Sequence, residues 1–327
     1  APAAPVAGGA VAHCRFEDGG VGPFQLPPGL GSVTAADIQA APRAPWPQRG
    51  EFVERLRADA LDFERFGALA DDDEQHLDLT VAARGETARW PREERQAVRR
   101  WIEDLHRDGI AIVKNMPAEP GQLRRFAQKI FGYILPTVYG HAFTIQSRSN
   151  PNNLAYSSLG LQLHTDLPYC HTPPPIQLFH CIQQAEVGGG NIFADGFAVA
   201  ERLRARDPDM FERLAARPVR FQDTTPSWHL HAEHRTIEVD SSGQIFRINF
   251  NERARDSWHQ WQETDGLPEI DAFYRALSEF ETMLEEPSEA LQLTLQSGEM
   301  SVIDNWRVLH SREGFEGERW LEGGYVT

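Results

Sequence analysis

Between residues 51 and 133, apolar residues recur at the three-to-four-residue spacing of amphipathic helices. This pattern predicts helices over residues 51–67, 91–108 and 122–133. Between the last two helices, residues 110–113 form a continuous apolar run, which predicts a buried strand. Residues 1–50 are rich in proline, glycine and alanine, so we expect mostly irregular backbone there.

From residue 134 onward, short apolar runs alternate with turn residues. The predicted strands span residues 176–182, 191–193, 219–222, 236–239, 244–249, 290–296, 300–303 and 321–326. Helical spacing predicts three further helices, over residues 196–205, 209–216 and 268–284. Many short strands with a few helices on one side predict a mainly β fold with flanking helices. We expect a boundary near residue 88, between an N-terminal appendage, residues 1–88, and a larger domain, residues 89–327.

The acidic composition argues against two classes of partner. With Lys+Arg 32 against Asp+Glu 48, the formal net charge is −16, whereas nucleic acids and anionic membranes bind basic surfaces. No run of about twenty apolar residues is present, and the opening residues lack the basic start and long apolar core of a secretory signal. The 3 cysteines cannot form a disulfide framework and are typical of a reducing compartment. The sequence therefore predicts a cytoplasmic protein that binds neither nucleic acid nor membrane.

Two segments that lie far apart in the sequence carry candidate metal ligands. His164 and Asp166 are two residues apart, so on an extended segment both side chains leave the same face of the backbone. His310 follows a second apolar run and is the third candidate. Two histidines and one carboxylate on one face of a metal form the facial triad of non-haem Fe(II) oxygenases. A surface turn also produces an isolated His-x-Asp by chance, and a zinc or manganese hydrolase would use the same three ligands.

An arginine near the third ligand adds to this pattern. Arg319 follows His310 by nine residues, and its guanidinium fork suits bidentate pairing with a dicarboxylate co-substrate. The alternative is Arg312, which follows His310 by two residues and lies too close along a strand to reach around the metal. We therefore predict that Arg319 binds the co-substrate.

Beyond these residues, a series of segments resembles one known family. The segments are residues 139–141, 152–156, 163–168, 177–182, 195–197, 247–251 and 304–307, then His310 and residues 319–325. They occur in the family's order and cover residues 105–327. On these motifs the chain resembles the Fe(II)- and 2-oxoglutarate-dependent dioxygenases of the taurine dioxygenase (TauD/TfdA) superfamily, and within it the γ-butyrobetaine dioxygenase family.

The resemblance implies both a fold and a reaction. The fold is a double-stranded β-helix, or jelly roll, with helices packed outside it. Fe(II) is held by His164, Asp166 and His310, and 2-oxoglutarate pairs with Arg319. Asn191 resembles a strand residue that contacts the co-substrate from the other side, although a polar residue that merely opens a strand after a turn is the alternative. Dioxygen completes the reaction, which hydroxylates an unactivated C–H bond and gives succinate and CO2.

The resemblance also implies a pocket for a small zwitterion with a quaternary ammonium head. Aromatic faces hold such a head by cation–π attraction, and the matching aromatic residues are Tyr139, Phe143, Tyr156 and Tyr325. Three asparagines, Asn153, Asn249 and Asn251, are candidates for binding the anionic end. The chain departs from the family at two positions. Phe143 stands where the family usually has tryptophan, and Leu167 replaces an aromatic residue, so an amino acid, an aminophosphonate or a natural-product intermediate is an alternative substrate.

Three further expectations follow. The family usually carries an N-terminal zinc module, but Cys14 is the only cysteine before residue 130, so we predict no structural zinc. The helix at residues 268–284 is a candidate interface for a homodimer. A non-catalytic jelly-roll binding protein is the alternative from a different functional class.

Overall fold

The computed structural model describes Trp46 and residues 49–67, 92–146, 158–256 and 266–327. The described helices are α1 (Arg49–Ala58), α2 (Phe63–Gly67), α3 (Arg92–Asp108), α4 (Gln122–Phe131), α5 (Gly196–Arg206), α6 (Pro208–Ala216) and α7 (Leu267–Glu285). The first eight strands are β1 (Leu61–Asp62), β2 (Ile110–Lys114), β3 (Ala142–Gln146), β4 (Leu161–His164), β5 (Ile176–Gln183), β6 (Val187–Gly188), β7 (Asn191–Asp195) and β8 (Pro218–Thr224). The remaining strands are β9 (His229–Arg235), β10 (Ile237–Val239), β11 (Ile245–Ile248), β12 (Ala290–Leu293), β13 (Met300–Asp304), β14 (Val308–Arg312), β15 (Phe315–Glu316) and β16 (Trp320–Val326).

Two sheets form the centre of the molecule. The larger has the strand order β1-β2-β13-β5-β16-β3, and the smaller has the order β12-β7-β14-β4. Their facing side chains meet, since the ring centroids of Phe179 on β5 and His310 on β14 are 5.8 Å apart. Three two-stranded ribbons, β8-β9, β10-β11 and β6-β15, complete the described strands. The predicted mainly β fold with flanking helices is confirmed.

Helices cover the outside of both sheets. Helices α3 and α4 pack on the larger sheet through a cluster that includes Trp101, Leu105 and Phe126. The Trp101 indole donates a hydrogen bond of 2.9 Å to the carbonyl of Ile112 on β2, which fixes α3 on the sheet. Helices α5, α6 and α7 pack together against a second cluster around Phe280. Among the described residues, no helix is long and apolar enough to cross a membrane.

The predicted helix over residues 51–67 was wrong at its centre. The structure divides it into α1 and α2, with β1 between them, because Leu61 is buried and its backbone pairs in parallel with Val113 of β2. The Asp62 carboxylate then accepts from the Glu64 amide at the start of α2. Residues 49–62 thus lie on the larger sheet, while residues 68–91, where the predicted domain boundary falls, lie outside the described residues. The boundary stays a prediction.

Seven of the described strands were not predicted: β1, β3, β4, β6, β9, β14 and β15. Strand β14 was read as the end of one long apolar run, but Asp304, Asn305, Trp306 and Arg307 turn the chain from the larger sheet into the smaller one. Strand β9 consists largely of polar residues, and only one of its positions, His234, is buried. It pairs with β8 over seven positions, so backbone pairing rather than an apolar face holds it.

Candidate metal and co-substrate site

The three predicted metal ligands lie together at the edge of the smaller sheet. Strand β4 ends at His164, which pairs directly with His310 of β14, so the two imidazole centroids are 4.3 Å apart. The Asp166 Oδ1 atom lies 3.5 Å from His164 Nε2 and 3.8 Å from His310 Nε2. The potential ligand atoms of all three residues lie within 4.8 Å of one another. Strand pairing has therefore brought together residues that are far apart in the sequence.

A tight loop directs Asp166 toward the two histidines. Leu167 adopts a positive φ of 57°, which turns the chain immediately after Asp166. Buried Asn305 holds the loop, because its Oδ1 accepts from the Asp166 amide at 2.8 Å and its Nδ2 donates to the Asp166 carbonyl at 3.1 Å. The same Nδ2 donates to the Pro174 carbonyl at 2.8 Å. The turn between β13 and β14 thus positions both Asp166 and His310.

The protonation of these groups fits a divalent cation. His164 Nδ1 lies 2.8 Å from the Gln162 carbonyl, so Nδ1 carries the proton that leaves Nε2 free for a metal. Burial, then the neighbouring His164, lowers the pKa of His310 to about 3, so this imidazole is neutral at pH 7. Burial would raise the pKa of Asp166, but His310, His164 and the Tyr325 hydroxyl outweigh it and hold the pKa below its ordinary value.

Two side chains support the ligands from the larger sheet. Gln177 Nε2 on β5 donates to Asp166 Oδ2 and lies 3.2 Å from His310 Nε2. The Tyr325 hydroxyl on β16 donates to Asp166 Oδ2 at 2.7 Å. Sequence reasoning missed the contact of Gln177, although the residue lies in a motif that carries the family resemblance. It also assigned Tyr325 to the substrate alone. In the structure the Tyr325 hydroxyl contacts the predicted metal ligand Asp166, and its ring lines a cavity beside the three predicted ligands.

A cavity of about 330 Å³ opens beside the three ligands and contains both candidate arginines. Arg319 is 4% exposed, and its Nη2 donates to Asn191 Oδ1 at 3.3 Å. Its Nε has no hydrogen-bond acceptor, and no carboxylate lies within ion-pair distance among the residues that the structure describes. Burial, then the charge of Arg312, lowers the pKa of Arg319 to about 10, so the guanidinium stays protonated at pH 7. A buried guanidinium in this state fits a carboxylate ligand.

Arg312 is held differently, although it lines the same cavity. Its Nη2 donates to the Leu159 carbonyl at 2.6 Å, and its guanidinium lies 4.9 Å from the centroid of the Phe315 ring. Asn191 Nδ2 donates to the Leu293 carbonyl at 3.3 Å, which leaves the Asn191 Oδ1 atom facing Arg319. These contacts favour Arg319 over Arg312 as the predicted co-substrate ligand.

Aromatic rings line the cavity on the side of the larger sheet. The centroids of Phe143 and Tyr325 are 5.6 Å apart, and those of Tyr139 and Phe143 are 6.0 Å apart. Burial raises the pKa of Tyr139 to about 12, so the phenol is neutral. Tyr169, which sequence reasoning missed, joins them with its hydroxyl 2.8 Å from that of Tyr139. Leu167, at a position where the resembled family carries an aromatic residue, also lines the cavity.

The predicted asparagines separate into three groups. Asn251 lines the cavity, and its Nδ2 donates to the Thr165 carbonyl at 3.4 Å. Asn249 is 1% exposed and points elsewhere, because its Nδ2 donates to the Arg235 carbonyl at 2.8 Å and to Glu238 at 3.3 Å. The structure therefore does not bring Asn249 to the cavity. Asn153 lies outside the described residues, and so does Tyr156, which was predicted to hold the quaternary ammonium head.

Comparisons with known proteins identify the family of this chain. Residues 73–325 match the family described as taurine catabolism dioxygenase TauD, TfdA family. The γ-butyrobetaine dioxygenase of Homo sapiens is 33% identical over 234 residues, which is 69% of this chain and 59% of that protein. The trimethyllysine dioxygenase of Meyerozyma guilliermondii is 28% identical over 72% of this chain and 59% of that protein. The chain thus spans about three fifths of the length of these relatives.

Solved structures agree with the fold. A crystal structure of asparagine oxygenase with Fe(II), 3-hydroxyasparagine and succinate superposes with a TM-score of 0.57 at 16% identity. The match covers 85% of this chain and 91% of that one. At this identity the likeness concerns the fold alone, and it supports the jelly roll that the resemblance implied.

Proposed function

Because the chain belongs to the taurine catabolism dioxygenase TauD, TfdA family, whose members use Fe(II), 2-oxoglutarate and dioxygen, we propose that it is a 2-oxoglutarate-dependent dioxygenase. Its proposed reaction hydroxylates a small zwitterion with a quaternary ammonium head. One observation carries the proposal: a carboxylate and two imidazoles converge beside a buried arginine that has no carboxylate partner among the described residues. A metal hydrolase that uses the same three ligands does not require that arginine.

The residues of the site fit the metal and the co-substrate. His164, Asp166 and His310 would hold Fe(II) through two imidazole nitrogens and one carboxylate, the donor set of the facial triad. Iron held there would supply the redox chemistry that couples the oxidation of 2-oxoglutarate by dioxygen, to succinate and CO2, to hydroxylation of the substrate. Arg319 binds the distal carboxylate of 2-oxoglutarate, and Asn191 orients its guanidinium. Gln177 holds two of the ligands in place, since its amide contacts both Asp166 and His310.

The aromatic side of the cavity fits the cationic head. A quaternary ammonium group cannot donate hydrogen bonds, so a protein holds it against aromatic faces. Tyr139, Phe143 and Tyr325 offer such faces next to Asp166. The relatives named for γ-butyrobetaine and trimethyllysine support this class, because both compounds carry a trimethylammonium head. Asn251 and Arg253, which also line the cavity, are placed to bind the substrate carboxylate.

The contribution of the protein is mainly one of position. Contacts at both ends of a zwitterion limit the ways in which its methylene groups can approach the metal ligands. The aromatic residues that hold the cationic head therefore select which C–H bond is attacked. The three metal ligands and Arg319 determine the reaction type, which stays the same for different substrates. Leu167 enlarges this part of the cavity relative to an aromatic side chain, which gives room for a different cation of the same class.

Succinate formation tests the proposal. Enzyme loaded anaerobically with Fe(II) and 2-oxoglutarate and then exposed to air should form succinate, and γ-butyrobetaine should increase the rate at least tenfold. His164→Ala removes one ligand and should lower the rate at least 100-fold without changing the far-UV circular dichroism spectrum. The matched control is His171→Ala, because His171 is exposed and does not line the cavity.

Three outcomes would contradict parts of the proposal. Succinate that forms without stimulation by any quaternary ammonium zwitterion contradicts the substrate class and leaves the dioxygenase. Turnover of a substrate without 2-oxoglutarate indicates a metal hydrolase. Binding of 2-oxoglutarate without any succinate indicates a non-catalytic binding protein.

A further inference from the structure

A carboxylate lies among the aromatic rings of the cavity, far along the chain from the proposed metal ligands. It belongs to Asp223, the sixth residue of β8, which lines the same cavity as Tyr139, Tyr169 and Asp166. The ribbon β8-β9 carries Asp223 to this point, because its strands pair along their whole length from Pro218 and Arg235 to Thr224 and His229. Asp223 is not among the proposed ligands of the metal or of 2-oxoglutarate.

Two aromatic side chains hold the Asp223 carboxylate in place. Its Oδ2 accepts hydrogen bonds from Trp228 Nε1 at 2.9 Å and from the Tyr139 hydroxyl at 3.3 Å. Since the Tyr139 proton points to Asp223, the Tyr169 hydroxyl donates to the Tyr139 oxygen across 2.8 Å. The rings of Tyr139 and Trp228 meet edge to face with centroids 5.8 Å apart. Rings and carboxylate thus form one connected unit.

The charge of Asp223 is not neutralised within the described part of the chain. No arginine, lysine or histidine there lies within ion-pair distance of it, and its Oδ1 accepts no hydrogen bond from those residues. Most other acids of the protein that approach the interior are paired, as Glu238 is with Arg247. A carboxylate at the wall of a partly desolvated cavity, held by two neutral donors, attracts a cation more strongly than it would in open water.

We propose that Asp223 is the residue that makes the aromatic end of the cavity selective for a positively charged head group. Aromatic faces accept neutral and cationic groups of the same shape, whereas a fixed carboxylate discriminates between them by charge. The inference rests on the proposed function only in that the ligand of the cavity is taken to be the substrate. In this inference the carboxylate of Asp223, rather than the aromatic rings, distinguishes a cationic head group from a neutral one.

Binding measurements with a charge-free isostere test the proposal. The probes are γ-butyrobetaine and 5,5-dimethylhexanoate, in which a tert-butyl carbon replaces the trimethylammonium nitrogen. Their dissociation constants are measured anaerobically, with 2-oxoglutarate and Mn(II) in place of Fe(II), so that binding is separated from turnover. Asp223→Asn keeps an acceptor for Trp228 Nε1 and removes the charge. The matched control is Glu233→Gln, which removes one charge from an exposed position on β9 of the same ribbon.

The proposal expects wild-type protein to bind γ-butyrobetaine at least tenfold more tightly than the isostere. Asp223→Asn should weaken γ-butyrobetaine at least tenfold and change the isostere less than twofold, while Glu233→Gln changes neither. Equal weakening of both probes would reduce Asp223 to a structural role, and no weakening of either, or a wild-type protein that does not discriminate between them, would overturn the proposal. Succinate formation is assayed separately. Charge discrimination without succinate leaves the role of Asp223 standing while the proposed reaction fails.

Discussion

Arg307, just before β14, and Arg319, just before β16, are both almost fully buried, but their surroundings differ. Arg307 is 2% exposed, and its guanidinium donates to both oxygens of Asp195 at 2.6 and 3.1 Å. A third nitrogen donates to the Arg107 carbonyl at 2.8 Å. Asp195 also caps α5 by accepting from the amides of Phe197 and Ala198. The protein itself thus supplies every charge and acceptor that Arg307 needs.

Arg319 receives no such compensation from the described residues. Its one side-chain hydrogen bond among these residues is to the neutral amide of Asn191, and burial lowers its pKa, whereas Asp195 outweighs burial and raises the pKa of Arg307. Desolvating a charge without a partner costs free energy. The comparison indicates that Arg307 stabilises the fold, while Arg319 is kept in an unfavourable state that a carboxylate ligand relieves.

Removing Arg307 should have the largest effect on stability. Arg307→Met leaves the Asp195 carboxylate buried without its cation, so we expect the free energy of unfolding to fall by about 3 to 5 kcal/mol. Urea unfolding of the metal-free protein measures this change. The control Arg206→Met breaks an exposed pair with Glu279 and should cost less than about 1 kcal/mol. A loss as small as the control's would show that Arg307 is not a structural residue.

Removing Arg319 should affect the ligand and spare the fold. In Arg319→Gln we expect the dissociation constant for 2-oxoglutarate, measured anaerobically with Mn(II), to rise at least 100-fold, or about 2.7 kcal/mol. The free energy of unfolding should stay unchanged or increase, because a buried charge is removed. Arg312→Gln is the decisive comparison, since the Arg312 guanidinium is engaged by the Leu159 carbonyl. If Arg312→Gln weakened 2-oxoglutarate more than Arg319→Gln, the proposed roles would be reversed.

Two of the proposed metal ligands, His164 and Asp166, could be picked out from the sequence because their spacing is a local signal. A His-x-Asp spacing needs only an extended segment to bring both side chains to one face, and β4 provides it up to His164. The asparagines show where such reasoning ends. Asn249 and Asn251 are also two residues apart, but β11 ends at Ile248, before either of them. Their side chains diverge, because Asn249 donates to Glu238 whereas Asn251 lines the cavity.

Asp223 gave no signal because, apart from Trp228, the side chains around it come from distant parts of the chain. Tyr139 lies 84 positions away in the chain, and the ribbon that carries Asp223 is polar on its exposed positions. Nothing in the local pattern distinguishes this carboxylate from a solvated one on a surface strand. Arg319 shows a similar limit. Its charge is evident from the sequence, but the absence of a carboxylate partner among the described residues is visible only in the fold.

His180 is a third buried basic side chain. Among the described residues it has no hydrogen-bond partner, and it does not line the cavity beside the proposed metal ligands. It is fully buried on β5, and neither ring nitrogen has a hydrogen-bond partner among the described residues. The nearest acid across the strands, Glu322 on β16, already accepts from the Gly121 amide. Burial lowers the pKa of His180 to about 4, so the imidazole is neutral at pH 7.

The smallest expected effect is therefore a change in the pH dependence of stability. Below the ordinary histidine pKa of about 6.5, the unfolded chain binds a proton at residue 180 that the folded protein excludes until about pH 4, so wild-type stability falls across this window. His180→Leu removes that proton and should reduce the fall by on the order of 2 kcal/mol, measured by urea unfolding of metal-free protein at pH 7.0 and 4.5. The exposed His141→Leu should leave the fall unchanged. Because His310 titrates equally in all three proteins, its contribution cancels when their falls in stability are compared. If the fall in His180→Leu equalled that of the wild type, His180 would be protonated in the folded protein as readily as in the unfolded chain, which would contradict the prediction.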